Sequence, residues 1–166
     1  MPEIDDAAVL QVGAVETRYH RGGRGPALVL LMAGGRAGPL GGALFDALCA
    51  RFRVVAPVPP PEVGAAVPAS RWLRDLLDGL GVERPLVVAD EPLAGAVLAV
   101  MLAAPGRVGG AVALGRDHAE AVEAVVDHLD RSARELALVL IDDAADPRRS
   151  AADAADRIAA VLAPGL

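Results

Sequence analysis

At 166 residues, 54% of them apolar, the chain has room for one domain with a substantial core and is too hydrophobic to stay disordered. Its 22 acidic and 16 basic residues give a net charge of −6, and no basic cluster runs longer than Arg148-Arg149, so the dense positive footprint of a nucleic-acid or anionic-membrane binder is missing. All 16 basic residues are Arg, and without Lys both Schiff-base chemistry and P-loop lysine chemistry are excluded.

Cys49 stands alone, which rules out a disulfide framework or a zinc knuckle and fits a reducing cytoplasm. The first six residues carry acids where a signal peptide would carry positive charge and then an apolar core. The longest apolar stretch, residues 93–105, is shorter than the roughly 20 residues a membrane helix requires. A soluble cytoplasmic protein is expected. The absence of Lys and Asn beside abundant Ala, Arg, Gly, Val and Pro is the usage of a GC-rich bacterial genome.

In chain order, residues 7–12 and 14–20 are short β-like runs separated by Gly13, which predicts an antiparallel hairpin at one edge of a sheet. Residues 27–32 form a continuous apolar run of strand length, expected for a central strand covered on both faces. A glycine-rich loop follows, and Leu40, Leu44, Leu48, Phe45 and Phe52 give a helical stripe reaching residue 52. The loop has neither a G-x-G-x-x-G arrangement nor a Lys, so dinucleotide and P-loop readings fail and no cofactor is implied. Its backbone N–H groups remain suited to an anionic or carbonyl oxygen.

Residues 53–57 predict a strand, and 58–68 a proline-rich loop short of N–H groups. Ser70 is placed as the N-cap of a helix carrying Trp72, Leu73, Leu76, Leu77 and Leu80, closed by Gly79 and Gly81. Residues 86–89 predict a strand and 92–104 a helix, with Pro92 suited to its first turn. Strands over 108–114 and 136–141 and helices over 119–129 and 151–162 complete the chain. A hairpin followed by β-α repeats implies an open, mostly parallel sheet with helices on both faces, in one domain spanning 1–166.

Several segments carry a resemblance to one family. Residues 19–32 (YHRGGRGPALVLLM) resemble the α/β-hydrolase superfamily's approach to its third strand, and 52–57 (FRVVAP) its fourth strand. Residues 80–88 (LGVERPLVV) resemble the lead into its nucleophile strand, 104–108 (APGRV) the exit from the following helix, and 138–147 (LVLIDDAADP) the segment bearing the triad acid, which falls on Asp146. The resemblance implies an α/β-hydrolase-like three-layer sandwich. Its mostly parallel sheet has about seven strands, an N-terminal antiparallel hairpin and no final strand.

The catalytic positions of that family are altered. In its G-x-S-x-G elbow the serine aligns with Glu91, the flanking glycines with Ala89 and Leu93, and the residue after the nucleophile with Pro92. That residue's backbone N–H is half of the family's oxyanion hole, and proline has none. Met32-Ala33-Gly34 stands where a His-Gly loop is usual, and the resemblance implies a cap reduced to the helix from residue 119 and no segment bearing the triad His. Acyl transfer needs nucleophile, base and oxyanion site together, so an ordinary esterase is disfavoured.

The expected alternative is acid/base or shape-directed catalysis, such as cyclisation, elimination or isomerisation, on a small apolar substrate. Members repurposed in this way suggest a natural-product pathway. Glu91 is the candidate general acid or base, with His118 and Asp146 as catalytic partners and Met32, Ala33, Gly34, Asp90, Pro92 and Asp117 around the substrate. Glu91 equally reads as a carboxylate set against a helix dipole, His118 as an exposed residue in a first helical turn, and Asp146 before Pro147 as a turn former. Hydrolysis through Glu91 and a non-catalytic binding scaffold remain alternatives. Asp117, His118, Asp142 and Asp143 lack any spacing that identifies a metal. His20, at the end of an edge strand, and His128 read as surface residues, and Cys49, in the stripe beside Leu48, as a buried small hydrophobe. The strand over 136–141 has no predicted outer neighbour, which leads to the expectation of a homodimer.

Overall fold

The computed structural model describes residues 7–32, 39–104, 106–114, 136–139 and 155–156. Alternating burial organises the N-terminal hairpin, β1 (Ala8–Val12) and β2 (Val15–Gly22), which pair antiparallel with Val12 opposite Val15. A two-residue hairpin turn needs a left-handed residue, and Gly13 supplies it at φ 58°. Val12, Val15 and Thr17 are buried, while Gln11, Glu16 and Arg18 are exposed, as a period of two requires.

The remaining strands are β3 (Ala27–Leu31), β4 (Arg53–Val58), β5 (Leu86–Asp90), β6 (Gly110–Leu114) and β7 (Leu136–Val139). They join the hairpin in a seven-stranded sheet ordered β1-β2-β4-β3-β5-β6-β7. β2 runs antiparallel to β4, and the pairs from β4 through β7 are parallel. The mostly parallel sheet with its antiparallel hairpin is the one expected from the sequence. β2 is an inner strand, however, paired on both sides. His20 therefore lies opposite Ala56 within the sheet and is half-buried, not at an edge.

The central strands divide two cores by simple alternation. Leu28, Leu30 and Met32 from the β3 segment join Val54 and Ala56 of β4, Val88 of β5 and Val112 of β6 on one face. That face is covered by α1 (Pro39–Leu48) through Leu44, Phe45 and Leu48, with Ala155 packed into the same cluster. Val29, Leu31, Val87, Ala89 and Ala111 form the other face, under α2 (Ala69–Leu80) and α3 (Glu91–Ala103). Burial on both sides explains why β3 reads as an unbroken apolar run. It also explains α3: packed beside α2 and against β5 and β6, it buries Leu93, Ala96, Val97, Leu98, Val100 and Met101 and needs no polar stripe.

Helix boundaries differ from the expectation in three places. The α1 stripe ends at Leu48, and Phe52 reaches the same core from the turn before β4. Such a turn preserves the apolar spacing, so periodicity alone extends the helix. The chain here is fixed by Gly23 at φ 76°, where a Cβ would run into the Phe52 carbonyl and come within 2.6 Å of the Cys49 carbonyl. Ser70 lies inside α2, whose N-cap is Pro68, with no side-chain capping hydrogen bond. Gly79 is also internal, and Gly81, left-handed at φ 65°, ends the helix by donating its N–H to the Asp78 carbonyl. The helix expected over 119–129 and most of that over 151–162 lie outside the described residues.

Trp72, Leu73, Leu76 and Leu77 bury the inner face of α2, and the indole Nε1–H donates to Thr17 Oγ1 at 3.0 Å. Thr17 is fully buried, so this bond satisfies two polar groups that water does not reach. Replacing Thr17 by Val leaves the indole donor unsatisfied, and a loss of about 1–3 kcal/mol is expected in urea unfolding. The Thr17→Val/Trp72→Phe pair removes both polar groups. It is expected to show a smaller penalty than the two single losses added together.

Candidate functional site

The sheet order reverses its direction of growth at β3. β4 lies on one side of it and β5 on the other. The chain leaving β3 enters α1 on the first face, and the chain leaving β5 enters α3 on the opposite face. Adjacent parallel strands whose following helices depart to opposite faces open a crevice beyond their carboxyl ends, which is where open α/β sheets bind ligands.

β5 delivers its acids to that point. The strand runs one residue further than expected, through Asp90, and α3 starts directly at Glu91 with Pro92 as its second residue. A proline here costs the helix nothing, because its first four N–H groups lack intrahelical acceptors in any case. Asp90 is the N-cap residue, in ordinary extended backbone at φ −77° and ψ 173°, yet its side chain makes no capping hydrogen bond. It is half-buried, with Oδ1 shielded from solvent.

Parallel register fixes the neighbours. Leu31 of β3 stands opposite Ala89, so Met32 is one step beyond, beside Asp90. On the other side Asp90 is level with Leu114 of β6, and Leu114 with Val139 of β7. Met32 is buried at 7% exposure and Leu93 at 6%. The sequence already singled out Met32, Asp90, Glu91 and Pro92, and the topology brings all four to the β3/β5 ends. That Leu114 stands level with Asp90 was not expected, because cross-strand level is set by register and leaves no local mark in the sequence. Ala33, Gly34, Asp117, His118 and Asp146 lie outside the described residues, as do Asp142, Asp143 and His128.

The loop over 59–68 links β4 to α2. It is held by its own backbone: the Glu62 carbonyl accepts from the N–H groups of Ala65, Ala66 and Val67, and Gly64 N–H donates to the Val67 carbonyl at 2.7 Å. Val63 and Val67 pack on the same core cluster as Leu93. Among the described residues no group of His, Cys, Asp and Glu is arranged to hold a metal ion, and no helix is long and apolar enough to cross a membrane.

No family model matches the sequence, and comparison with curated proteins finds no match. Solved structures do match. A serine hydrolase from the polyaromatic hydrocarbon-degrading bacterium Cycloclasticus zankles is 21% identical with a TM-score of 0.54, over 64% of this chain and 44% of that one. An epoxide hydrolase from Vigna radiata is 21% identical with a TM-score of 0.55, over 66% of this chain and 39% of that one. The naproxen esterase of Bacillus subtilis is 20% identical with a TM-score of 0.53, over 65% and 42%. The chain thus has the α/β-hydrolase fold, and spans less than half the length of these three structures.

By the sequence resemblance the β5–α3 junction corresponds to that family's nucleophile elbow, and no aligned position keeps the family's residue. Ala89 and Leu93 replace the elbow glycines, Glu91 occupies the serine position, and Pro92 offers no N–H to an oxyanion. Leu93 is one of the side chains that fill the α3 core. Restoring the hydroxyl alone does not restore the hole: Glu91→Ser is expected to hydrolyse 4-nitrophenyl acetate at the rate of the parent chain. A tenfold or greater increase would show that an oxyanion site survives without the proline's N–H.

Proposed function

We propose that this chain uses the β3/β5 crevice as a carboxylate site for a small apolar molecule, performing proton transfer in place of serine acyl transfer. The observation that carries this reading is the placement of Asp90 and Glu91 at the carboxyl end of β5, where α1 and α3 depart to opposite faces of the sheet. A carboxylate held among apolar side chains is a competent general base, and such groups contribute about 10²–10⁴-fold to a rate. Cyclisation, elimination and isomerisation all need such a proton transfer, and a bacterial natural-product pathway is a setting for them. Glu91 and Asp90 supply the carboxylates, with His118 and Asp146 as their proposed partners and Asp117 at the substrate.

A second reading, a non-catalytic binding scaffold, draws on the burial of Met32 and Leu93 and on the packing of Val63 and Val67 against the Leu93 cluster. These apolar groups narrow the room beside the acids. Ring opening of 5-nitrobenzisoxazole separates the two readings, because that reaction needs only a carboxylate base in an apolar setting and releases a coloured phenolate. Turnover above the acetate-buffer background is expected, falling about 100-fold in the Asp90→Asn/Glu91→Gln chain. Equal rates for the two chains would leave the scaffold.

A further inference from the structure

A proline cuts short the ladder between β3 and β4 and leaves a polar group inside the sheet. We infer that the Leu30 carbonyl is a hydrogen-bond acceptor for the ligand, and that the ligand is a small apolar molecule carrying a hydroxyl, an alcohol or a phenol. The inference rests on the proposed binding of a small apolar molecule at the carboxyl end of β3 and adds the polar group that orients it.

The register shows where the ladder stops. β4 pairs with β2 as far as Val58, opposite Arg18, and β3 pairs with β5 as far as Leu31, opposite Ala89. Between β3 and β4 the pairing ends earlier, at Val29 opposite Val55. Backbone bonds from one strand to a given neighbour recur at every second residue. From β4 to β3 the series begins at Arg53, whose N–H donates to the Pro26 carbonyl at 3.0 Å. Two residues on, Val55 is set against the Leu28 carbonyl, and the next step sets Pro57 against the Leu30 carbonyl. Proline has no N–H to give.

Proline is ordinarily confined to sheet edges, strand starts and bulges, whereas β4 is flanked by β2 and β3. β2 tolerates it. A residue of β4 that aims its backbone at β3 aims none at β2, so no bond is lost at the level of Tyr19 and Pro57. The loss falls on Leu30. This residue is 2% exposed, and a backbone carbonyl so enclosed is normally paired. Among the described residues no turn or loop N–H donates to it.

The notch has an apolar rim and a way in. Met32, buried, lies in the same core cluster as Leu30, and Val58, half-buried, follows Pro57. Among the described residues no backbone bond joins Met32 to β4, so the two strand ends can part without breaking one. The carbonyl selects a donor and the rim selects an apolar body. A hydroxyl O–H takes the place of the missing amide. An ammonium group would carry a charge into apolar surroundings, and a carboxylate would set one acceptor against another.

p-Cresol and 4-methylanisole share a body and differ in the donor. The test titrates each into the full chain labelled with ¹³C at its leucine carbonyls and reads both Kd and the Leu30 carbonyl resonance. p-Cresol is expected to bind about tenfold more tightly than the ether and to move that resonance downfield, as an accepted hydrogen bond does. The ether is expected to leave it in place. Pro57→Ala supplies the missing donor: the new amide at position 57 is expected to exchange slowly, and the two probes to bind within about twofold of each other. The carbonyl shift in the parent chain decides the matter even if that variant does not fold. Equal binding of both probes with shift changes at Met32 would leave the ligand site standing and overturn the Leu30 assignment. So would a preference for p-cresol that survives in Pro57→Ala with the new amide protected. If neither probe perturbs the β3 end, both the site and the assignment fall.

Discussion

Everything in this molecule depends on the double burial of β3 and β5. These two parallel strands are covered on both faces, and each alternates its residues between a core under α1 and a core under α2 and α3. Parallel sheets require such two-sided cover. The same requirement sends α1 and α3 to opposite faces of the sheet. The site is a consequence of how the sheet is covered.

Residues that would be unremarkable elsewhere take their meaning from that position. Asp90 is an N-cap by backbone geometry and stands at the carboxyl end of β5. Pro92 fits the first turn of α3 and removes a donor on which an acyl-transfer enzyme relies. Leu93 stands where the fold's elbow has a glycine and is buried among the side chains of α3 and α2. One short stretch therefore ends a strand, starts a helix and contributes to a core.

Much of the architecture was legible in the sequence because its signals are local. The apolar run of β3, the glycine between β1 and β2, and the stripe of Trp72, Leu73, Leu76 and Leu77 each announce an element by period or by backbone demand. Ser70 misled because a good capping residue two positions inside a helix looks the same in sequence as one at its start, and Pro68 took the boundary. Phe52 misled because a turn can hold a side chain at helical spacing. His20 was placed at an edge because pairing partners far along the chain, here Ala56, leave no local trace. In the candidate site the acids were visible as residue types at a strand end. The faces to which α1 and α3 depart were not, since no local signal records which helix covers which face.

The central claim is that a small apolar ligand enters between the ends of β3 and β5. Backbone amide NMR during titration with 2-cyano-4-nitrophenol, the product of 5-nitrobenzisoxazole ring opening, tests it most directly. The account predicts that the largest shift changes concentrate at Met32, Asp90, Glu91, Leu93 and Leu114. Saturable changes confined to another region, such as β1 and the outer face of α2, would contradict it.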